Sequence, residues 1–179
     1  LQKNIYISKK KRGKNVYSFF SKKLKTKKNF FLDHGCASGL TMIPWTKKWE
    51  CYGIDPHRPS VNYGKKKLKL NIKCSYGESL PFKKNFFDVV LSLGSLEHSY
   101  DIKKTMKELV RTIKNNGYLI IRWRSNTLIG SPLEYYNHNH YRFFSKETWN
   151  LILKKYGFSS IKHFNDNIEG YESYSYILA

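Results

Sequence analysis

The sequence predicts an α/β fold in three layers, a mostly parallel sheet covered on both faces by helices. Three observations predict it. From residue 29 onward short apolar segments alternate with helical ones, the order that buries a parallel sheet between layers. Two early strands end in a carboxylate followed at once by turn residues, Asp33-His34-Gly35 and Asp55-Pro56. The chain has 179 residues, long enough for one continuous core and short for two.

The elements follow in order. Between Lys9 and Lys28 the apolar residues Val16, Tyr17, Phe19, Phe20 and Leu24 recur at helical spacing among lysines, which predicts an amphipathic helix. Its apolar side is expected to cover an edge of the domain or a substrate entrance, and its charged side to be solvated. Residues 1–28 are thus read as a basic N-terminal segment and residues 29–179 as the domain. Strands are expected at Asn29 to Asp33, Glu50 to Asp55, Ile72 to Tyr76, Phe87 to Leu93, Gly117 to Arg124, Phe158 to Phe164 and Ser173 to Leu178. A helix is expected after the first glycine turn. Another spans Asp101 to Ile113, with Ile102, Met106, Leu109, Val110 and Ile113 on one face, Asp101 as its cap, and Asn115-Asn116-Gly117 as its stop. A further helix runs from about Ser145 to Tyr156, opened by the capping pattern Ser145-Lys146-Glu147-Thr148 and closed by Gly157.

Composition narrows the classes. A hydrophobic fraction of 40% and an aromatic fraction of 16% exclude a disordered chain, and no run approaches the roughly 18 apolar residues that cross a membrane. Leu1 to Arg12 are mostly polar and basic, so no secretory signal is expected, and the absence of an initiator Met is what a piece of a longer protein shows. The formal charge of +20 points to polyanions, but Lys far outweighs Arg and Asn, Ile, Phe and Tyr abound, the bias an AT-rich genome produces whatever the function. Arg interleaved with an aromatic occurs only at Arg122-Trp123-Arg124. Cys36, Cys51 and Cys74 lie in or beside apolar segments and read as buried reduced thiols of a cytoplasmic protein. No CxxC or His/Cys cluster has zinc spacing, and no metal is assigned.

In open α/β sheets the ligand binds beyond the carboxyl ends of the strands, so the loops there carry the chemistry. Leu32-Asp33-His34-Gly35-Cys36-Ala37-Ser38-Gly39 is a strand entering a glycine turn, where backbone can approach a ligand closely. Asp33 at its end suits a cationic or hydrogen-bond-donating group and disfavours phosphate, which argues against a dinucleotide. Tyr52-Gly53-Ile54-Asp55-Pro56 places a second carboxylate about twenty positions beyond the turn, the spacing at which it accepts both hydroxyls of a ribose.

With these motifs the chain resembles class I S-adenosylmethionine-dependent methyltransferases, in particular the broad type 11 group. LDHGCASG resembles that family's first motif, YGIDP its second, YGESLPF with FFDVVLSLGSLEH its third and fourth, and ELVRTIKNNGYLII and RFFSKETWNLILKKYGF its later strand and helix. The resemblance covers roughly Phe30 to Phe164. It implies a Rossmann-like sheet of seven strands, order 3-2-1-4-5-7-6 with the last antiparallel, and S-adenosylmethionine as the donor, S-adenosylhomocysteine as its product. It assigns Asp33, Gly35, Cys36, Ala37 and Gly39 to the methionine part of the donor and Asp55 to the ribose. Pro56, Glu78, Ser79 and Leu80 fall to the adenine, and Leu93, Gly94 and Ser95 to the sulfonium. Many relatives carry Asp after strand three; here Tyr76-Gly77-Glu78 stands there.

The resemblance also implies that Leu96 and His98 line the acceptor side, and His98 is the first candidate for a general base. Ser125 to Phe144 is a long connection rich in Tyr, Asn and His, where His140 is a second candidate and His138 with His140 could form a metal pair, although a loop pinned to the body is the plainer reading. A small-molecule acceptor, such as a sugar, a lipid-linked intermediate or another metabolite, ranks first. RNA or tRNA, supported by the charge, ranks second, since Ser92-Leu93-Gly94-Ser95 replaces the Pro-Pro signature of base-amine methylation. A non-catalytic donor-binding protein ranks third.

Overall fold

The computed structural model describes residues 2–26, 30–124, 144–165 and 174–179. Its strands are β1 (Phe30–His34), β2 (Glu50–Asp55), β3 (Ile72–Cys74), β4 (Phe87–Leu93), β5 (Ile113–Arg124), β6 (Lys162–Asn165) and β7 (Tyr174–Leu178). They form one sheet in the order β3-β2-β1-β4-β5-β7-β6. β1 to β5 run parallel to one another, and β7 runs antiparallel to both β5 and β6. This is the expected topology, with the strand order reversing between β1 and β4.

Side chains that alternate along each strand divide the core in two. Leu32, Val90, Leu119 and Ile121 face α3 (Ile102–Thr112) and α4 (Lys146–Lys155), which contribute Met106, Leu109, Trp149 and Leu153. Phe31, Val89, Leu91 and Ile120 face the other way, onto α1 (Gln2–Phe20), α2 (Arg58–Leu68) and Trp45. Both predicted caps form: Asp101 accepts from the Lys104 amide at 3.1 Å and Ser145 from the Thr148 amide at 3.1 Å. Among the described residues no helix is long and apolar enough to cross a membrane.

Several boundaries differ from expectation. The first helix begins before Lys9 and stops at Phe20, because the fully buried Phe20 ring sits 5.8 Å from both Phe164 and Tyr176 and the chain must turn there. No α-helix follows the glycine turn; Ile43–Lys47 form a short 3-10 turn around Pro44, and β2 begins too soon afterwards for more. The third strand ends at Cys74. β5 starts directly at Ile113, and its register jumps from Phe87↔Ile113 to Val89↔Tyr118, so the Asn-Asn-Gly stretch bulges from the ladder instead of lying before the strand. β6 begins at Lys162 and not at Phe158. Cys36 and Cys51 are buried, but Cys74 is exposed. Trp123 is buried against Trp149 and Arg122 is buried on the opposite face, so this triplet is no stacking platform.

Two features bring the elements to the carboxyl edge of the sheet. Helix α1 crosses the loop after β1 at Gly13, where an added Cβ would stand 2.7 Å from the Thr41 carbonyl oxygen. The turn after β1 coils through left-handed backbone at Gly35 (φ 73°), Ala37 (φ 49°) and Gly39 (φ 82°).

Phe20→Ala removes a ring buried between α1 and the sheet, and denaturant unfolding should show a loss of about 3–5 kcal/mol; Leu151→Ala, 71% exposed, should change stability by less than about 0.5 kcal/mol. Ala37→Gly relieves the strain of a Cβ in left-handed backbone, and the same measurement should show a gain of about 0.5–1 kcal/mol.

Candidate functional site

The residues at the carboxyl ends of β1, β4 and β5 close, with α1, around one cavity of about 230 Å³. Asp33, Gly35, Cys36, Ala37, Leu40 and Thr41 form one wall, and Leu93, Gly94, Glu97, Arg122, Lys9 and Arg12 the other. Of the residues assigned from the sequence, Asp33, Gly35, Cys36, Ala37, Leu93 and Gly94 therefore meet in one space.

Asp33 is the buried carboxyl of that space, 1% exposed. The Thr41 hydroxyl donates to its Oδ2 at 2.5 Å. Burial pushes its pKa up to about 7, with help from the negative charge of Asp55; the Thr41 hydrogen bond and nearby Lys9 pull the other way. A carboxyl so placed is harder to ionise than an exposed one, and a cation beside it favours its charged form. His34, next to it but turned to the other face, shares a hydrogen bond with Ser92 at 3.0 Å, and burial brings its pKa down to about 4. His34 is a neutral strut.

The turn is stitched to its neighbours. The amides of Gly35 and Cys36 both donate to the Ile54 carbonyl, at 2.9 and 3.0 Å. Asp55, at the end of β2, accepts from the Ala37 amide on Oδ2 and from the His57 amide on Oδ1, each at 2.8 Å. Each carboxylate oxygen keeps a second lone pair, so Asp55 can still accept two further donors. Ser95 donates to the His34 carbonyl at 3.0 Å and presses on Gly35, where a Cβ would meet its Oγ at 2.0 Å.

The remaining assigned residues lie around this cavity and not in it. Gly39 faces the side chains of Leu70 and Ile72 beneath the turn. Pro56 and Ser79 are exposed, and Leu80 is 5% exposed within the core, its amide held by Glu108 at 2.8 Å. Glu78 is engaged elsewhere than expected, since its Oε1 accepts the Asp101 amide at 3.0 Å and ties the loop after β3 to the start of α3. Leu96 is buried, and His98 is exposed on the short turn Leu96–His98. His138 and His140 lie outside the described residues.

Lys9, Arg12, Leu40, Thr41, Glu97 and Arg122 were not foreseen. For Arg122 a signal existed: a guanidinium inside an apolar strand, 4% exposed once folded, at the edge where ligands bind. Lys9 and Arg12 are three apart on one helix face, a pattern that solvated charges share, so nothing in their spacing separates them from the other lysines.

A cradle with a buried carboxyl beside two cations suits the zwitterionic end of an amino acid, and a second carboxylate one strand away suits a diol. S-Adenosylmethionine carries both groups, and the residues fit it.

Comparison with known proteins agrees with that fit. The methyltransferase domain family matches residues 32–121. A ubiquinone biosynthesis O-methyltransferase of Pelagibacter ubique is 34% identical over 103 residues, 54% of this chain and 42% of that protein. Ajmaline N-methyltransferase of Rauvolfia serpentina is 31% identical over 99 residues, 50% of this chain and 34% of that protein. The chain thus spans less than half the length of these curated relatives. Among solved structures, a SAM-dependent methyltransferase of Thermotoga maritima, described as a possible histamine N-methyltransferase, superposes with a TM-score of 0.74 at 20% identity, covering 97% of this chain and 87% of its own. One from Archaeoglobus fulgidus gives 0.74 at 18% identity, covering 93% of each chain. With half of its length matched by the family and the same sheet order, the chain belongs to the methyltransferase domain family, whose methyl donor is S-adenosylmethionine.

Proposed function

We propose that this protein transfers the methyl group of S-adenosylmethionine to a small-molecule acceptor by in-line displacement. The observation that carries the reading is the single cavity in which the buried Asp33 meets Lys9 and Arg12 beside a turn pinned by Asp55. In this reading Asp33 accepts from the ammonium of the donor, Lys9 and Arg12 face its carboxylate, and the free lone pairs of Asp55 accept the two ribose hydroxyls. Pro56, Ser79 and Leu80 border the adenine, with Glu78 acting through its hold on α3. Leu93, Gly94 and Ser95 stand where the donor and acceptor meet.

When bound, the donor supplies a methyl on cationic sulfur, so the acceptor lone pair bonds to carbon while the carbon–sulfur pair leaves with a neutral thioether. The chain's own contribution is alignment and the exclusion of water, worth more here than acid or base help. His98, on the turn after β4, takes the acceptor proton when the acceptor is a hydroxyl or an ammonium; solvent takes it otherwise.

A small acceptor is favoured because α1 roofs the cavity, and the printed names of the relatives include a ubiquinone biosynthesis enzyme and an alkaloid enzyme. An RNA acceptor is the second reading. It draws on a groove at the opposite end of the sheet, lined by Lys23, Lys25, Lys84 and Lys162 among others and, among the described residues, by no Asp or Glu side chain. That groove opens at the amino ends of the parallel strands, away from Asp33. A non-catalytic donor-binding role is the third, and turnover with any acceptor removes it.

Calorimetric titration with S-adenosylmethionine and S-adenosylhomocysteine tests the donor site. Asp55→Ala should weaken both by roughly 100-fold or more, since two hydrogen bonds to a charged acceptor are lost; unchanged affinity would sink the assignment. A proton on Asp33 competes with the donor ammonium, so affinity should fall about tenfold for each pH unit below 7 and level off above it, and Asp33→Asn should abolish that dependence. The same carboxyl sets a pH signature in the free protein. Its folded pKa lies above the unfolded value, so its stabilising contribution is complete below about pH 4 and is lost as pH rises to about 7. Asp33→Asn should therefore raise stability at pH 8 by on the order of 1–3 kcal/mol and change it little at pH 4, as read from urea unfolding.

A further inference from the structure

Thr41 touches both halves of the cradle proposed above for the amino-acid end of the donor. Its hydroxyl donates to Asp33 Oδ2 at 2.5 Å. Its main chain lies under α1 where that helix crosses at Gly13, and a Cβ there would stand 2.7 Å from the Thr41 carbonyl oxygen and 2.9 Å from the Thr41 Cα. The backbone of Thr41 is therefore held from the helix side while its side chain reaches the carboxyl. A β-branched side chain has few χ1 choices, so a fixed Cα largely fixes where the hydroxyl points.

What the hydroxyl does follows from the burial of its partner. Asp33 is 1% exposed at the end of β1, and burial disfavours its charged form. The carboxylate is nevertheless the form that accepts from an ammonium with both oxygens available. Charged and titratable groups face it from each neighbouring element: Lys9 and Arg12 from α1, Cys51 and Asp55 from β2, Glu97 and Arg122 across the cavity, and Cys36 on its own turn. Against burial, the Thr41 hydrogen bond is the strongest influence that favours the charge; Asp55 opposes it, and Lys9 adds less than Thr41 does. A hydroxyl that donates to a carboxylate makes a short, charge-assisted bond, and this one also stops the carboxyl from turning.

We propose that Thr41 is a positioning residue for the methyl donor: its hydroxyl holds the Asp33 carboxylate by Oδ2 and leaves Oδ1 for the donor ammonium. The proposal rests on the donor reading above. Without the hydroxyl, Asp33 keeps its proton to higher pH, and the ammonium meets a neutral acid in a space with little water.

The test is titration of the whole chain with S-adenosylhomocysteine, which has the same amino-acid end as the donor, at pH 7 and pH 9, each variant being compared with the parent at the same pH. Thr41→Val keeps the shape and removes the hydroxyl. A hydrogen bond to a charged group corresponds to roughly one to two pH units in the ionisation of Asp33, so affinity should fall by about fivefold or more at pH 7 and by less than about threefold at pH 9. Thr41→Ser, which restores a hydroxyl, should stay within about threefold of the parent at both. In an Asp33→Asn background the valine substitution should cost less than about twofold, because no charge is left to hold. Thr41→Ala makes the same comparisons where the valine variant does not fold. A smaller loss at pH 7 overturns the proposal. A loss of equal size at pH 7 and pH 9, or one undiminished in the Asp33→Asn background, shows packing alone and overturns it too. The donor reading fails separately, when Asp33→Asn and Asp55→Ala leave affinity unchanged whatever stands at position 41.

Discussion

The structure depends on a stitch between the turn after β1 and the end of β2. Three amides of that turn, Gly35, Cys36 and Ala37, have no partner within it; two are taken by the Ile54 carbonyl and the third by the Asp55 carboxylate. Buried amides left unpaired would each cost on the order of 1–3 kcal/mol, so the turn has one conformation as long as β2 lies beside it. The parallel pairing of β1 with β2 is thus a condition of the site, and so is the pairing of β1 with β4, through which Ser95 holds the His34 carbonyl and presses on Gly35. Asp55 holds the turn with one lone pair on each oxygen, which leaves a second on each for a ligand.

Around that stitch the two faces of the sheet do different work. The face covered by α3 and α4 is a conventional apolar layer, with Glu108 fixing the loop after β3 through the Leu80 amide and Glu78 fixing the start of α3. The face covered by α1 is apolar only along part of the helix. Val16 and Phe20 are buried in the core, while one turn and more before them Lys9 and Arg12 reach the cavity. One helix therefore anchors by its carboxyl half and supplies charge by its middle, with Gly13 allowing the close crossing between them.

The strands at the centre of the sheet were legible because two constraints act on the same residues. Glu50 to Asp55 and Phe87 to Leu93 are bounded by polar or turn residues and apolar within, and both were read with the bounds the structure has. Edges were less legible. β3 stops early and β6 starts late because an edge strand has one partner, and its limit depends on where that partner ends and not on its own apolar pattern. The helix expected after the glycine turn followed from the strand-turn pattern alone, which Pro44 and the short path to β2 override. Within the site, carboxylates at strand ends follow from position along the chain. Lys9, Arg12 and Arg122 do not, because a periodic pattern tells which face a side chain is on and not which element folds back over that face. Glu78 shows the reverse case, a residue with the right chemistry near the right loop whose carboxylate is taken by a backbone amide.

In the proposed function the donor occupies the cavity between the stitched turn and α1. Amide-resolved hydrogen exchange with and without S-adenosylhomocysteine tests it most directly. A donor bound there slows exchange at Gly35 to Ala37, at Asp55 to His57 and along α1 around Lys9 to Arg12, and leaves the amino ends of the strands unchanged. Slower exchange confined to Lys84, Asn85 and Asn115 to Gly117, at the opposite end of the sheet, would contradict it.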